Sequence, residues 1–457
     1  MKRKEFINAF KVYIPTWIII ILWILINILN DGATFKFALN RLLDLLAYKQ
    51  VIIGIHIIFV TLYALFLFIR YFIRVYKSKG FTTSFTRFIF RAVIPIAILV
   101  FGLKFILNTN TSEIYHYKWD YSAENNSKQA TNCYAFDNKQ RGMSVFGWRK
   151  NEDPEKAIDE LVKNNTEWIA VIPFLHQKDE QSFDLSKPKR IGFWSKRDSL
   201  FINTIDALQE RGLRVMLKPH LWLSSGWRSN LNMSSQKDWN IWFENYRTNI
   251  LHYAKMATET KVTVFCIGTE LESSIAVQSQ KWIELIHEIR NVYNGKLTYA
   301  ANWNNEFETV EFWSELDYIG VQAYFPLTPE KNPNKQAIKK GWQNHIEKLK
   351  AFSKQYNKPI LFTEIGYRSD ASTTIKPWEW NSISNIFFNK KSDKTQQLAY
   401  EAMFESLWDK EWFAGCYFWQ WDVNSSKENA KESMDFSPRF KPAENVIAKW
   451  FGETKEE

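Results

Sequence analysis

The chain has 457 residues and a formal charge of +10, from 59 Lys and Arg against 49 Asp and Glu. Residues 1–110 carry 14 basic and 3 acidic residues, which leaves 45 and 46 for the remainder, so the excess is confined to the N-terminal part. Binding to a phosphate backbone concentrates Lys and Arg on the binding domain, and the near-neutral remainder therefore argues against a nucleic-acid partner. Cys133, Cys266 and Cys416 give no disulfide framework, and no Cys/His cluster has the spacing of a zinc site.

Taken in chain order, the first features are three apolar runs at residues 13–29, 51–69 and 92–107. Each approaches the ~20 residues that cross a bilayer, and a cleaved signal peptide would explain one such run but not three. Lys2, Arg3, Lys4 and Lys11 precede the first run. Arg70, Arg74, Lys77, Lys79, Arg87 and Arg91 follow the second with no acid among them, and the intervening loop is mixed. The positive-inside rule then puts the N-terminus and residues 70–91 in the cytoplasm and everything after residue 107 on the other side; the third run is the weakest of the three, and without its insertion the large domain would be cytoplasmic. Residues 1–110 thus read as a membrane anchor of three transmembrane helices in contact with the lipid bilayer. His56 is the ionisable group within the second span, and the low polar content favours an anchor over a transport pathway. Residues 111–140, rich in Asn, Ser, Thr and Lys, read as a tether.

Residues 141–457 alternate strand and helix. Strands are expected at 142–146, 168–173, 214–219, 262–268, 297–301, 318–321, 360–363 and 415–419. Helices are expected at 154–164, 199–211, 237–258, 278–292, 337–356, 395–408 and 443–451. Alternation implies a parallel sheet, and eight units over this length fit an α/β fold of the (β/α)₈ TIM barrel type. The first strand, Gly142-Met-Ser-Val-Phe-Gly-Trp, is not followed by a glycine-rich phosphate fingerprint, which disfavours a dinucleotide-binding sheet.

Such a barrel works at the C-terminal ends of its strands. There the sequence places Trp148 and Arg149, then Phe174 and His176, then Lys218, His220 and Trp222. Next come Glu270, Asn302 with Trp303, Gln322 with Tyr324, Glu364, and Trp419, Gln420 and Trp421. The set is aromatic and hydrogen-bonding, with two carboxylates. Glu270 and Glu364 each end a strand, and two carboxylates facing one cleft are what hydrolysis of a glycosidic bond needs. Nineteen of the 21 Trp lie beyond residue 110, and aromatic faces stack on sugar rings, so a carbohydrate substrate is expected. Trp148, Arg149, His220, Trp222, Asn302, Trp303, Tyr324 and Trp419 are the candidate substrate contacts, and Tyr324 is also placed to hydrogen-bond Glu364. Each carboxylate has a plainer alternative. Glu270 would cap the helix after its strand, and Glu364 would pair with Arg149 or Arg368. Lys218 is as well explained by an ion pair in the barrel mouth as by substrate contact.

Four segments, Gly142-Met-Ser-Val-Phe-Gly-Trp, Leu217-Lys-Pro-His-Leu-Trp, Ile267-Gly-Thr-Glu-Leu and Phe362-Thr-Glu-Ile-Gly-Tyr, resemble glycoside hydrolase family 113 of clan A, whose known members are β-mannanases. The resemblance covers residues 141–451 and implies a retaining hydrolase of β-linked glycans, with β-1,4-mannan foremost. It implies Glu270 as general acid/base, Glu364 as nucleophile, and no metal or cofactor. Many clan members have Asn just before the acid/base, where it meets the sugar 2-hydroxyl; Thr269 stands there in this chain. The competing reading is a membrane-anchored glycan-binding protein with the same barrel and no catalysis.

Overall fold

In a computed structural model, the described residues are 3–30, 49–111, 114–119, 126–146, 154–185, 190–380 and 389–453, with single positions at 35, 39, 42, 43, 46 and 188. The chain divides into two compact units, Met1–Phe105 and Ile106–Glu457.

The first unit is helical. Its helices run Arg3–Asn30 and Lys49–Phe88, and the second continues through a π-type turn, Ile89–Val93, into Ile94–Thr111. Two stretches are long and apolar enough to cross a membrane, Ala9–Ile26 and Ile52–Asn110. The second spans 59 residues, nearly three times the ~20 that a crossing needs. Gly80 divides it: at φ 79° and ψ 176° the backbone leaves the helix, a conformation open to glycine because it has no Cβ. The two arms then pack together. Ser84 Oγ donates to Phe72 O at 3.2 Å, and the Phe72 and Phe88 rings meet at 5.4 Å. The apolar runs at 51–69 and 92–107 fall on opposite sides of this break.

The second unit is a closed barrel of eight strands, all parallel and in chain order. They are β1 Gln140–Phe146, β2 Trp168–Val171, β3 Arg214–Leu217, β4 Val264–Thr269, β5 Lys296–Asn302, β6 Tyr318–Gln322, β7 Ile360–Ile365 and β8 Phe413–Asp422. Each overlaps an expected strand. Two further short strands, Phe174–Gln177 and His220–Leu223, pair with each other outside the barrel. The sequence places Phe174, His176, His220 and Trp222 at barrel-strand ends and marks no separate strands there, each being only four residues long.

Alternation along the strands sorts the core. Trp168 and Ala170 point into the barrel with Met216, Cys266, Ala300 and Tyr417. Ile169 and Val171 point outward to the helical layer. The helices begin where side chains satisfy their first free N–H groups. Ser195 and Asp198 form a capping box on Lys196–Glu210, and Ser235, Asn334 and Ser392 cap Gln236–Glu259, Lys335–Tyr356 and Asp393–Leu407. The segment before β1 lies against the barrel. Buried Glu167 accepts bonds from Thr131, Cys133 N and Tyr134 N, and Tyr117 donates to Glu444 at 2.7 Å. All three cysteines are free and buried.

The barrel closes tightly between β5 and β6. A Cβ on Gly320 would stand 2.1 Å from Tyr299 O and 2.5 Å from Thr298 Oγ1. Backbone cannot yield as a flexible side chain does, so Gly320→Ala is expected to destabilise the protein by about 1–3 kcal/mol. Thermal unfolding of the full-length chain measures this, and an unchanged midpoint would contradict the close approach.

Candidate active site

The mouth of the barrel opens into one cleft of about 760 Å³. Glu270, Glu364, His220, Trp222, Asn302, Trp303, Tyr324 and Trp419 all line it. Trp148 and Arg149 lie outside the described residues. Trp378, Trp380 and Gln420 also face the cleft. Trp421, by contrast, is fully buried and lies under the Arg439 guanidinium at 5.8 Å. The register of β8 against β1 shifts opposite Gln420, so that Ser144 faces Trp419 and Val145 faces Trp421. A bulge of this kind breaks the two-residue alternation that would otherwise put both tryptophans on one side.

Glu364, near the end of β7, is 4% exposed and held by several donors. Lys218 Nζ, at the end of β3, approaches Glu364 Oε1 at 2.6 Å and also donates to Thr363 O at 3.0 Å. Tyr324 OH donates to Oε2 at 3.1 Å. Gln322, its side-chain amide oriented with nitrogen toward the carboxylate, donates to both oxygens. His220 Nε2 stands 3.5 Å from Oε1. Burial, reinforced by the charges of Lys218 and Arg228, holds the His220 pKa well below its ordinary value, so the imidazole is neutral. Lys218 is therefore an ion-pair partner of Glu364 rather than a residue of the cleft wall, and Arg368 is engaged elsewhere, with Asp370 at 2.6 Å.

Glu270, immediately after β4, is also 4% exposed. Its backbone is left-handed, φ 50°, a conformation that costs a non-glycine residue about 1–3 kcal/mol. Two bonds hold it there: Glu270 N donates to Ala300 O at 3.0 Å, and Ser229 Oγ donates to Glu270 O at 2.9 Å. The side chain does not cap the next helix, Glu272–Val292, whose N-cap is Leu271 without a side-chain bond. Instead Asn302 Nδ2 donates to Glu270 Oε1 at 2.8 Å, and Arg228 pairs with Oε2. Burial pushes the Glu270 pKa up; Arg228 pulls it down, Glu364 pushes it further up, and the bonds from Asn302 and Arg228 oppose them. The net direction is upward. Both donors favour the carboxylate, but the loss of hydration in a closed site outweighs them.

Arg228 and Glu306 escaped sequence reasoning, as did the cleft-lining Trp227, Asn304 and Phe436. Arg228 sits in the loop after His220–Leu223, stacked on Trp227 at 4.3 Å, and nothing in the spacing of that loop marks it. Glu306 is buried behind Asn302 and belongs to a four-residue helix, Glu306–Thr309, too short to leave a periodic signal.

The chain is similar to proteins of known family. The chain matches the model of Glycoside Hydrolase Family 113 over residues 141–441. A structure of a family 113 β-1,4-mannanase complex aligns at 26% identity and TM-score 0.59, covering 68% of this chain and 98% of the other. A family 113 β-mannanase from Alicyclobacillus acidocaldarius, solved in complex with ManMIm, aligns at 24% identity and TM-score 0.60, covering 68% and 97%. No curated protein matches the chain. With a family model covering well over half of its length and the barrel's two carboxylates in one cleft, the chain belongs to glycoside hydrolase family 113.

Proposed function

We propose that this glycoside hydrolase cleaves β-1,4-linked mannan or its oligosaccharides with retention, and that its first unit anchors it in a membrane. The observation that carries the reading is the unlike setting of two buried carboxyl groups in one cleft. Glu364 has the Lys218 ammonium against it and donors on both oxygens. Glu270 has its pKa raised by burial and by the charge of Glu364. Environments that separate two carboxyl groups in this way assign them to different tasks.

In the first step Glu364 attacks the anomeric carbon while Glu270 gives its proton to the departing sugar oxygen. A proton on Glu270 Oε2 is incompatible with the Arg228 contact there, so Arg228 yields as the substrate enters. Once the glycosyl ester forms, the negative charge of Glu364 is gone. Glu270 then becomes the stronger acid and, as a carboxylate, accepts a proton from the water that hydrolyses the ester. His220, Asn302 and Tyr324 lie beside the two carboxyl groups and Trp419 lines the same cleft, which supports them as sugar contacts. Trp222, Trp303, Trp378 and Trp380 add flat apolar faces to the cleft wall. The charged groups among the cleft-lining residues are Arg228, Glu270 and Glu364, and each has an opposite partner, which favours a neutral polymer. The 26% identical neighbour is a β-1,4-mannanase, which favours mannan among neutral polymers.

Glu364→Ala is expected to abolish release of sugar from β-1,4-mannan oligosaccharides while binding, followed by calorimetry, remains measurable. Turnover at the wild-type rate would remove Glu364 as nucleophile. Glu270→Ala should lower kcat/KM on the same oligosaccharides by about 10²–10⁴-fold and cost far less on aryl mannosides whose leaving group needs no proton.

Arg228→Ala deletes a positive charge that lowers the Glu270 pKa. The acid form should then persist to higher pH, and the alkaline limb of the kcat/KM profile should move upward. A limb that stays in place or moves toward acid contradicts the pairing.

The apolar stretches Ala9–Ile26 and Ile52–Asn110 and the six basic residues between 70 and 91 favour a multi-pass anchor with the barrel on the non-cytoplasmic side. The full-length protein should stay in the membrane pellet after an alkaline carbonate wash, and its barrel should be digested by protease added to intact spheroplasts. Release by carbonate would count against the anchor, and protection of the barrel against this orientation.

A further inference from the structure

Behind the cleft lies a carboxyl group that the mechanism does not use. Glu306 is fully buried, and among the described residues no cation bonds it. Its Oε1 accepts from Tyr299 OH at 2.5 Å and its Oε2 from Asn302 N at 2.6 Å. Burial pushes its pKa up to about 8 against these two bonds, with the charges of Glu270 and Glu272 adding to the rise. An unpaired carboxyl is an unfavourable thing to place in a core, and such groups concentrate where function holds them.

Its two bonds lead to the same residue from opposite sides. Tyr299 OH, while donating to Glu306, accepts from Leu271 N at 2.6 Å, and Leu271 directly follows the left-handed Glu270. On the other side Asn302 is fixed at three points. Its N–H is held by Glu306, its Oδ1 accepts from Asn304 N at 2.8 Å, and its Nδ2 donates to Glu270 Oε1 at 2.8 Å. The Asn304 bond settles which way the amide faces and presents nitrogen, not oxygen, to Glu270. The turn that returns Glu306 to this place passes through Asn305 at φ 65° and is closed by Glu306 N donating to Asn304 O at 2.8 Å.

We propose that Glu306 is a positioning residue for proton transfer: through Tyr299 it fixes the backbone after Glu270, and through Asn302 it fixes the Glu270 carboxyl group. The inference rests on Glu270 being the acid/base. Ala300 and Ser229 hold the backbone of Glu270, but among the described residues its carboxyl group is bonded by Asn302 and by Arg228, and Arg228 lies on the cleft side and yields in the proposed mechanism. A displacement of about 1 Å in a reacting group costs on the order of 10²-fold, so release of this clamp should appear in the step that needs the proton and little elsewhere.

The test compares the full-length wild type with Glu306→Gln, Tyr299→Phe and Glu270→Gln on two substrates. One is a mannan oligosaccharide, whose leaving sugar needs protonation; the other is 2,4-dinitrophenyl β-mannobioside, whose leaving group does not. For Glu306→Gln, kcat/KM on the oligosaccharide should fall about 10–100-fold and on the aryl glycoside by less than about threefold, with KM little changed. Tyr299→Phe, which cuts one arm of the clamp, should show the same pattern at smaller size and serves alone if Glu306→Gln does not fold. Equal losses on both substrates, or none on either, in variants with unchanged thermal midpoints would overturn the inference. If Glu270→Gln itself shows no dependence on the leaving group, the acid/base reading falls and this inference with it. If Glu270→Gln shows the dependence and neither clamp variant does, only this inference falls.

Discussion

Two carboxyl groups share one barrel mouth, and each is almost wholly buried. Charge in such a place is expensive unless it is paired and hydrogen-bonded. The mouth meets this constraint unequally. Lys218, itself buried, is committed to Glu364 and to the backbone of β7. Glu270 is opposed by Arg228, which lies on a loop at the cleft wall. One carboxyl group thus has its counter-charge beside it in the barrel wall and the other has it on a loop. In the proposed mechanism that difference matches a nucleophile that must stay charged and an acid that must change charge. The neutral imidazole of His220 adds no third charge, and the phenol of Tyr324, its pKa pushed far upward by burial and by Glu364, remains a donor.

The barrel serves this arrangement by closing in chain order. β3, β4, β6 and β7 deliver Lys218, Glu270, Tyr324 and Glu364 to the same end, and the parallel register keeps their C-terminal ends level. The left-handed Glu270 shows where the fold accepts local cost. The strain is balanced by Ser229 and Ala300, which bond its carbonyl and its N–H, so the carboxyl group leaves the strand at an angle that a regular continuation would not give.

Much of this was legible in the sequence because it rests on periodic or terminal signals. Eight apolar runs with helices between them set the barrel, and a carboxylate at the end of an apolar run marks a mouth residue whatever the loops do. What was not legible depends on how loops return. Arg228 reaches Glu270 because its loop is tied down by Ser273 donating to Ser229 O at 2.6 Å and by Trp227 N donating to Glu180, contacts between segments far apart in the chain. Glu306 reaches Asn302 only after a left-handed turn at Asn305. Strand alternation puts Trp419 and Trp421 on one face, and the bulge opposite Gln420 divides them. The paired strands Phe174–Gln177 and His220–Leu223 are too short to leave a periodic signal, although they carry His220 and Trp222.

The concentration of tryptophan has an optical consequence. Trp222, Trp227, Trp303, Trp378, Trp380 and Trp419, six of the chain's 21, line a single cleft, and Trp222, Trp227, Trp378 and Trp380 are exposed to water. Indoles in water emit at longer wavelength than indoles against an apolar surface. A sugar chain settling on these rings excludes water from them, so the native emission of the protein should shift toward the blue as the cleft fills. The cleft therefore carries its own reporter of occupancy, one that works without turnover and without a label.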